Sequence, residues 1–163
     1  MVDRTEVKIT GIDNVLTMLR TLPAEVVGKR GGPVKTWLRK GAKYLQKRLL
    51  ERLDHVTSNE TTHPERENTQ TLKRSSIVSR GKAPNDGKGE RYLVRWKRVT
   101  YSRAGKPVTT HKTAQLLEYG SGDQPAEPFI RPTVQTEGHV TIELITNGLA
   151  ADVDRIAQRM LKT

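Results

Sequence analysis

The chain has 163 residues, of which 34% are apolar and only seven aromatic, and its 29 Lys and Arg against 18 Asp and Glu give a formal net charge of +11. That length suits one domain, 1–163, around a modest core. The absence of cysteine excludes disulfides, thiolate chemistry and Cys-ligated zinc, and no apolar run reaches the roughly 18 residues of a membrane span.

The first ten residues hold acids and no apolar stretch, so a secretory signal is not expected and synthesis is expected to be cytoplasmic. Val7 to Thr10 alternate and stop at Gly11, a short strand pattern. Ile12, Val15, Leu16, Leu19 and Leu22 then recur at helical spacing, with Asp13 placed to cap and Pro23 to close. After Gly31-Gly32-Pro33 comes a longer amphipathic helix. Its apolar stripe is Val34, Leu38, Ala42 or Gly41, Leu45, Leu49 and Leu53, and Lys35, Arg39, Lys40, Lys43, Lys47, Arg48 and Arg52 lie between. Residues 54–70 hold one valine and predict a mobile loop.

Residues 72–81 read as a strand centred on Ile77 and Val78, and 81–91, with Asn85-Asp86-Gly87, as a hairpin turn. Residues 91–102 predict one continuous strand. Tyr92, Val94, Trp96, Arg98 and Thr100 face one way, and Leu93, Arg95, Lys97, Val99 and Tyr101 the other. A turn at 102–106 leads to a further strand candidate over 107–120, then to a proline-rich loop carrying Phe129, the lone phenylalanine. From Pro132 onward the pattern is helical, with Gly148 placed to bend or divide it. The expected fold class is therefore α+β: an antiparallel sheet of three to four strands, two N-terminal helices and a C-terminal helix, with long turn-rich insertions.

Charge is segregated along this chain. Residues 28–52 carry nine bases against the single acid Glu51, a net of +8, and residues 73–112 carry twelve against Asp86 and Glu90, a net of +10. Residues 113–154 reverse the sign, with Arg131 alone against seven acids, a net of −6. Basic surfaces of this kind suit nucleic-acid phosphate, or the acidic faces of identical subunits in a head-to-tail ring. The candidate contacts are Arg39, Lys43, Lys47, Arg95, Lys97 and Arg98.

No motif for catalysis, metal or cofactor emerges. Gly81 to Gly89 superficially suggests a phosphate loop, but five residues separate its glycines instead of four, and Gly89 stands where a Ser or Thr should. His55, His63, His111 and His139 have no ligand spacing, and no nucleophile elbow occurs. Glu118 and Glu127 are candidate carboxylates, better explained by ion pairing with Arg131. Tyr92 to Lys97 resembles the central strand of chromodomains over six residues, without the aromatics a cage needs.

Leu116-Leu117-Glu118-Tyr119-Gly120-Ser121, followed by Pro125-Ala126-Glu127-Pro128-Phe129-Ile130-Arg131-Pro132, resembles the tail-completion (neck) family of tailed bacteriophages. There an apolar strand ends in Glu-aromatic-Gly, and Pro-Phe-Xaa-Arg-Pro opens a terminal helix. The opening Gly11-Ile12-Asp13-Asn14-Val15-Leu16 and the basic second helix are similar as well. Thr71 to Ile77 resembles the family's Thr-Gly-Xaa-Leu-(Lys/Arg)-Xaa-Ser-Ile element, without its Pro-Xaa-Thr-Gly lead-in. Segments 54–70 and 81–91 depart from the pattern.

The resemblance implies a non-enzymatic virion component without cofactors. Such a protein forms a ring, often of six copies, at the head-proximal end of the tail and helps join it to the capsid. Its partners would be its own copies, the stopper or adaptor, the tail terminator, and genomic DNA in the lumen, with no membrane. The tail terminator ring is a close alternative, and a small basic nucleic-acid-binding protein one from another class. Glu118, Tyr119, Gly120, Pro128, Phe129, Arg131 and Pro132 form the candidate subunit or partner interface. Gly120 and Gly122 permit a sharp exit, while Pro128 and Pro132 stiffen the loop and pin Phe129 as an anchor. That anchor fits either the chain's own core or a neighbour's pocket, and Arg131 fits Glu118, Glu127 or an acid on a neighbour.

Overall fold

A computed structural model describes residues 32–57, 69–82, 89–103, 105–123 and 125–160. The expected strand at 7–10, the helix at 12–22, most of the loop at 54–70 and the hairpin tip lie outside the described residues. The elements are helix α1 (Pro33–Thr57), helix α2 (Thr69–Ser75), strands β1 (Ser76–Arg80), β2 (Tyr92–Trp96), β3 (Thr100–Arg103) and β4 (Lys106–Thr109), helix α3 (Thr110–Tyr119) and helix α4 (Ile130–Met160). The fold is α+β, as the alternation of patterns implies.

Helix α1 follows its apolar stripe and runs one turn beyond Leu53, because Val56 continues the stripe onto the core. The Thr57 hydroxyl then closes the end by donating to the Leu53 carbonyl at 2.7 Å. Helix α4 lies antiparallel to it. Trp37 Nε1 donates to Asp152 Oδ2 at 2.7 Å near one end, and the Tyr44 hydroxyl to Glu137 Oε2 at 2.7 Å near the other.

Two glycines permit this approach. A Cβ on Gly148 would stand 2.3 Å from the Trp37 ring, and one on Gly41 2.5 Å from Ile145 Cδ1. Gly148 therefore does not divide α4, which is continuous over 31 residues; it makes room for an indole. Thr133, Thr141 and Thr146 sit inside this helix with their hydroxyls donated to carbonyls four residues back, at 2.6, 2.7 and 2.9 Å. That bond lets a polar side chain be enclosed without an orphan donor.

Three expectations for the middle of the chain need correction. Residues 72–75 belong to a short helix instead of a strand, because Leu72, fully buried, is the apolar anchor of a single turn and alternation starts only at Ser76. Residues 91–102 are not one strand. β2 stops at Trp96, the chain turns a corner through 97–99, and β3 begins at Thr100. The four strands consequently form two antiparallel pairs, β1–β2 and β3–β4, in place of one sheet.

Thr110 holds the corner. Its hydroxyl donates to the Lys97 carbonyl at 2.6 Å and accepts from Val99 N at 3.1 Å, and its own N–H reaches Val99 O at 3.0 Å. Lys97 N donates in turn to Ser75 O at 2.8 Å. Third, 107–120 is a strand only as far as Thr109, and α3 follows. Thr110, Thr113, Ala114, Leu117 and Glu118 recur on one buried face, a helical period that the β-forming threonines disguise. Thr109 caps the helix by accepting from Lys112 N at 3.3 Å. The turn at 102–106 is a hairpin, with Gly105 at φ 74°.

The core joins the second half of α1 to α2, β2, α3 and the start of α4. Leu49, Leu53, Leu72, Ala114, Leu117 and Phe129 are its buried members, with Val94, Trp96 and Ile130 packed around them. Trp96 meets Phe129 edge to face, with ring centroids 5.7 Å apart. Among the described residues no helix is long and apolar enough to cross a membrane.

Candidate functional site

The joint between α3 and α4 gathers most of the residues that the sequence singles out. Gly120 ends α3 at φ 73°, a conformation that favours glycine, and its N–H closes onto Leu116 O at 2.9 Å. The loop returns through Glu127, whose N–H donates to Leu117 O at 2.8 Å. It then delivers Phe129 into the core, where the ring is 0% exposed.

The Glu118 carboxylate lies under the start of α4. Oε2 accepts from Phe129 N at 2.9 Å and Ile130 N at 2.8 Å, and Oε1 accepts from Arg131 N at 3.0 Å. A helix leaves its first four N–H groups without intrahelical acceptors. Here Glu118 takes three, and the fourth position is Pro132, which has no N–H. Arg131 completes the arrangement, with Nε 3.0 Å from Glu118 Oε1 and an Nη2–H donated to the Glu118 carbonyl at 3.2 Å. Negative charge at a helix N-terminus is favourable, and Glu118, 2% exposed, is fully occupied there.

Within the chain Arg131 pairs with Glu118, and Phe129 fills the chain's own core. Glu118 sits at the end of a helix, not of a strand. Pro132 is the third residue of α4, which starts two residues earlier than its proline suggests. Gly120 is a helix cap, and Pro128 is half-buried in the loop. Of the seven proposed interface residues, Tyr119 and Arg131 remain the exposed ones. Tyr119 is 68% exposed, and the Arg131 guanidinium lies 5.1 Å from its ring centroid.

The candidate cations fall on two elements. On α1, Arg39 and Lys43 are exposed, while Lys47 stands 3.8 Å from Glu51 one turn away. On β2 and the corner after it, Arg95, Lys97 and Arg98 are all exposed.

Between α1 and α4 opens a cleft of about 410 Å³, lined by Arg48, Glu51, Arg52, His55, Thr133 and Glu137 among others. Arg48 donates to the Tyr44 hydroxyl at 3.3 Å and to Glu51 at 2.9 Å. These two bonds hold its guanidinium even more firmly protonated than usual. The acids of this cleft, Glu51 and Glu137, are engaged by Arg48 and Tyr44. Among the described residues no group of three or more His, Cys, Asp or Glu side chains could hold a metal ion.

Sequence reasoning did not single out Thr110, Arg91 or the pairing of Trp37 with Gly148. Thr110 had a local signal, since it follows a capping Thr109 and starts the buried helical period. The Trp37–Gly148 contact joins positions far apart in the chain and leaves no such trace. No family model, curated protein or solved structure matches this chain.

Proposed function

We propose that the chain is a non-catalytic structural subunit of a tailed-phage neck. In this reading copies assemble into a ring, six in number by resemblance, at the head-proximal end of the tail, and help join the tail to the filled capsid. The virion is then its place of action, after synthesis in the bacterial host. Its partners are its own copies, the stopper or adaptor, the tail terminator and the genome that passes through.

The observation that carries the reading is the α3–α4 joint. The string that resembles the neck family forms the end of α3, where the family pattern has a strand, the loop after it and the start of α4; the bonds of Glu118 tie these together and hold the exposed Tyr119–Arg131 pair on a fixed base. A cation stacked on an exposed tyrosine is the type of group enriched at protein interfaces. The internal use of Glu118 and Phe129 narrows the proposed subunit contact to Tyr119, Arg131 and the loop beside them.

Light scattering on the purified chain, at low and high salt and with and without a short duplex, tests assembly, and electron microscopy of particles tests location. A discrete ring mass that Tyr119→Ala reduces to monomer is the expected result. A chain that stays monomeric at every concentration and is missing from purified particles overturns the reading.

A further inference from the structure

The register of the β1–β2 ribbon divides its side chains between two faces. Ser76 opposes Trp96, and Val78 opposes Val94. This face is the covered one: Val94 and Trp96 pack on the core, and Gln46 of α1 donates to Ser76 Oγ at 3.0 Å. Residues of the other parity, Leu93 and Arg95, lie on the outer face, and Arg91 and Lys97, bonded to Gly81 and Ser75 just beyond the strand's two ends, flank them; all four are exposed. Gly81 faces Arg91 across the ribbon, and a Cβ there would come within 3.0 Å of Arg91 Cδ and 3.2 Å of Leu93 Cδ1. The missing side chain lets both stems lie flat across β1.

Among the described residues the adjacent acid, Glu90, is engaged on the other side. It is gripped by Arg80 at 2.8 and 2.7 Å and stands 3.6 Å from Lys35 on the α1 side. Among the described residues Arg91, Arg95, Lys97 and the adjacent Arg98 have no acidic partner. At about 3.3 Å per residue, the row from Arg91 to Lys97 spans about 20 Å.

We propose that this face binds the phosphate backbone of double-stranded nucleic acid, without reading its sequence. A duplex strand carries one phosphate per about 3.4 Å of axis, so a row of this length tracks several in succession. Proteins that hold single strands stack the bases on aromatic rings, whereas Tyr92 and Trp96 belong to the inner face. Because α1 covers that inner face, the ribbon lies along the backbone instead of entering a groove.

An acidic surface on a second copy is the weaker complement. Glu118, Glu137 and Asp152 are occupied by internal donors. Among the described residues the other exposed acids are either paired, as Glu51 and Asp54 are, or, as Asp123, Glu143 and Asp154, scattered over a loop and a long helix. The proposal does not need the ring, since a monomer with this face would bind equally.

The test is fluorescence anisotropy of the full chain with random-sequence duplex DNA of about two helical turns. Four phosphate contacts predict affinity falling roughly 100-fold between about 50 and 200 mM salt. Removing three of the charges with R91Q/R95Q/K97Q should flatten the log–log salt slope by about 2.7 and weaken binding more than tenfold at the lower salt. The variant R74Q/K106Q/K112Q removes equal charge elsewhere and should change binding less than threefold; circular dichroism checks that both fold. The proposal is overturned if the two variants weaken binding equally, if the duplex does not bind at low salt, or if single strands bind more tightly. It also fails if R91Q/R95Q/K97Q changes only the mass read by light scattering, which would assign the face to a second copy. Ring mass is read separately from duplex affinity, so failure of one does not pass for failure of the other.

Discussion

At the start of α4, Glu118 is 2% exposed and each of its oxygens accepts two hydrogen bonds. On the outer face of β2, by contrast, Arg91, Arg95 and Lys97 project into solvent with no acid facing them among the described residues. Both regions are rich in charge, but only the first uses it to fold. A buried charge persists only where neighbours replace its water, so the joint is fixed by its own chain. An exposed row of like charge contributes little to folding and repels itself, so its value lies in what it attracts.

Substitutions can break or sharpen that contrast, and the largest effect is expected at the joint. Phe129→Ala empties the centre of the core and should lower unfolding free energy by about 3–5 kcal/mol, read from denaturant midpoints at constant slope. Glu118→Ala should cost about 2–3 kcal/mol by stranding the first N–H groups of α4. Glu118→Gln keeps an acceptor in place and should recover part of that loss. If Glu118→Ala proves as stable as the parent, the joint is not a fixed element of the fold.

Gly148→Ala should cost about 1–3 kcal/mol, because overpacking against the Trp37 ring outweighs the better helix propensity of alanine. Thr110→Val should cost about 1–2 kcal/mol by leaving the corner's Lys97 carbonyl and Val99 N–H without their partner; a smaller loss would mean that water replaces the hydroxyl. The smallest effect is expected for Arg95→Gln, within about 0.5 kcal/mol of the parent. A large loss there would show that the ribbon's charges belong to the fold after all.

Legibility in the sequence follows the range of the interaction responsible. Most of helices α1 and α4, the β3–β4 turn and the inward side of β2 follow local patterns, as Leu49 and Leu53 on α1 and Val94 and Trp96 on β2 illustrate. α3 was hidden because Thr109, Thr110 and Thr113 favour strands by propensity, while here one caps, one ties the corner and one is buried on the helix. The split of the expected long strand left only one local trace, the charge of Arg98 on the face of Val94 and Trp96; the corner exists because Thr110, eleven residues beyond Val99 and thirteen beyond Lys97, takes up its backbone groups. At the joint, the pairing of Glu118 with Arg131 is one of the options that the sequence offers. The full set of donors was not, because it needs α4 to begin at Ile130, ahead of its proline.

The corner has a dynamic consequence. Beyond it, β3 and β4 pair with each other, and they meet the rest of the described chain mainly where β4 runs into α3 and where the Tyr101 hydroxyl bonds Thr113. A two-stranded ribbon standing apart from a core is only marginally stable in water, so this hairpin should open without unfolding the protein. Its cross-strand amides should exchange with solvent far faster than those of α1, through fluctuations that leave the core closed. Opening of this kind, anchored at Val99 and Thr110, confines the looseness to one arm and leaves both the joint and the ribbon rigid.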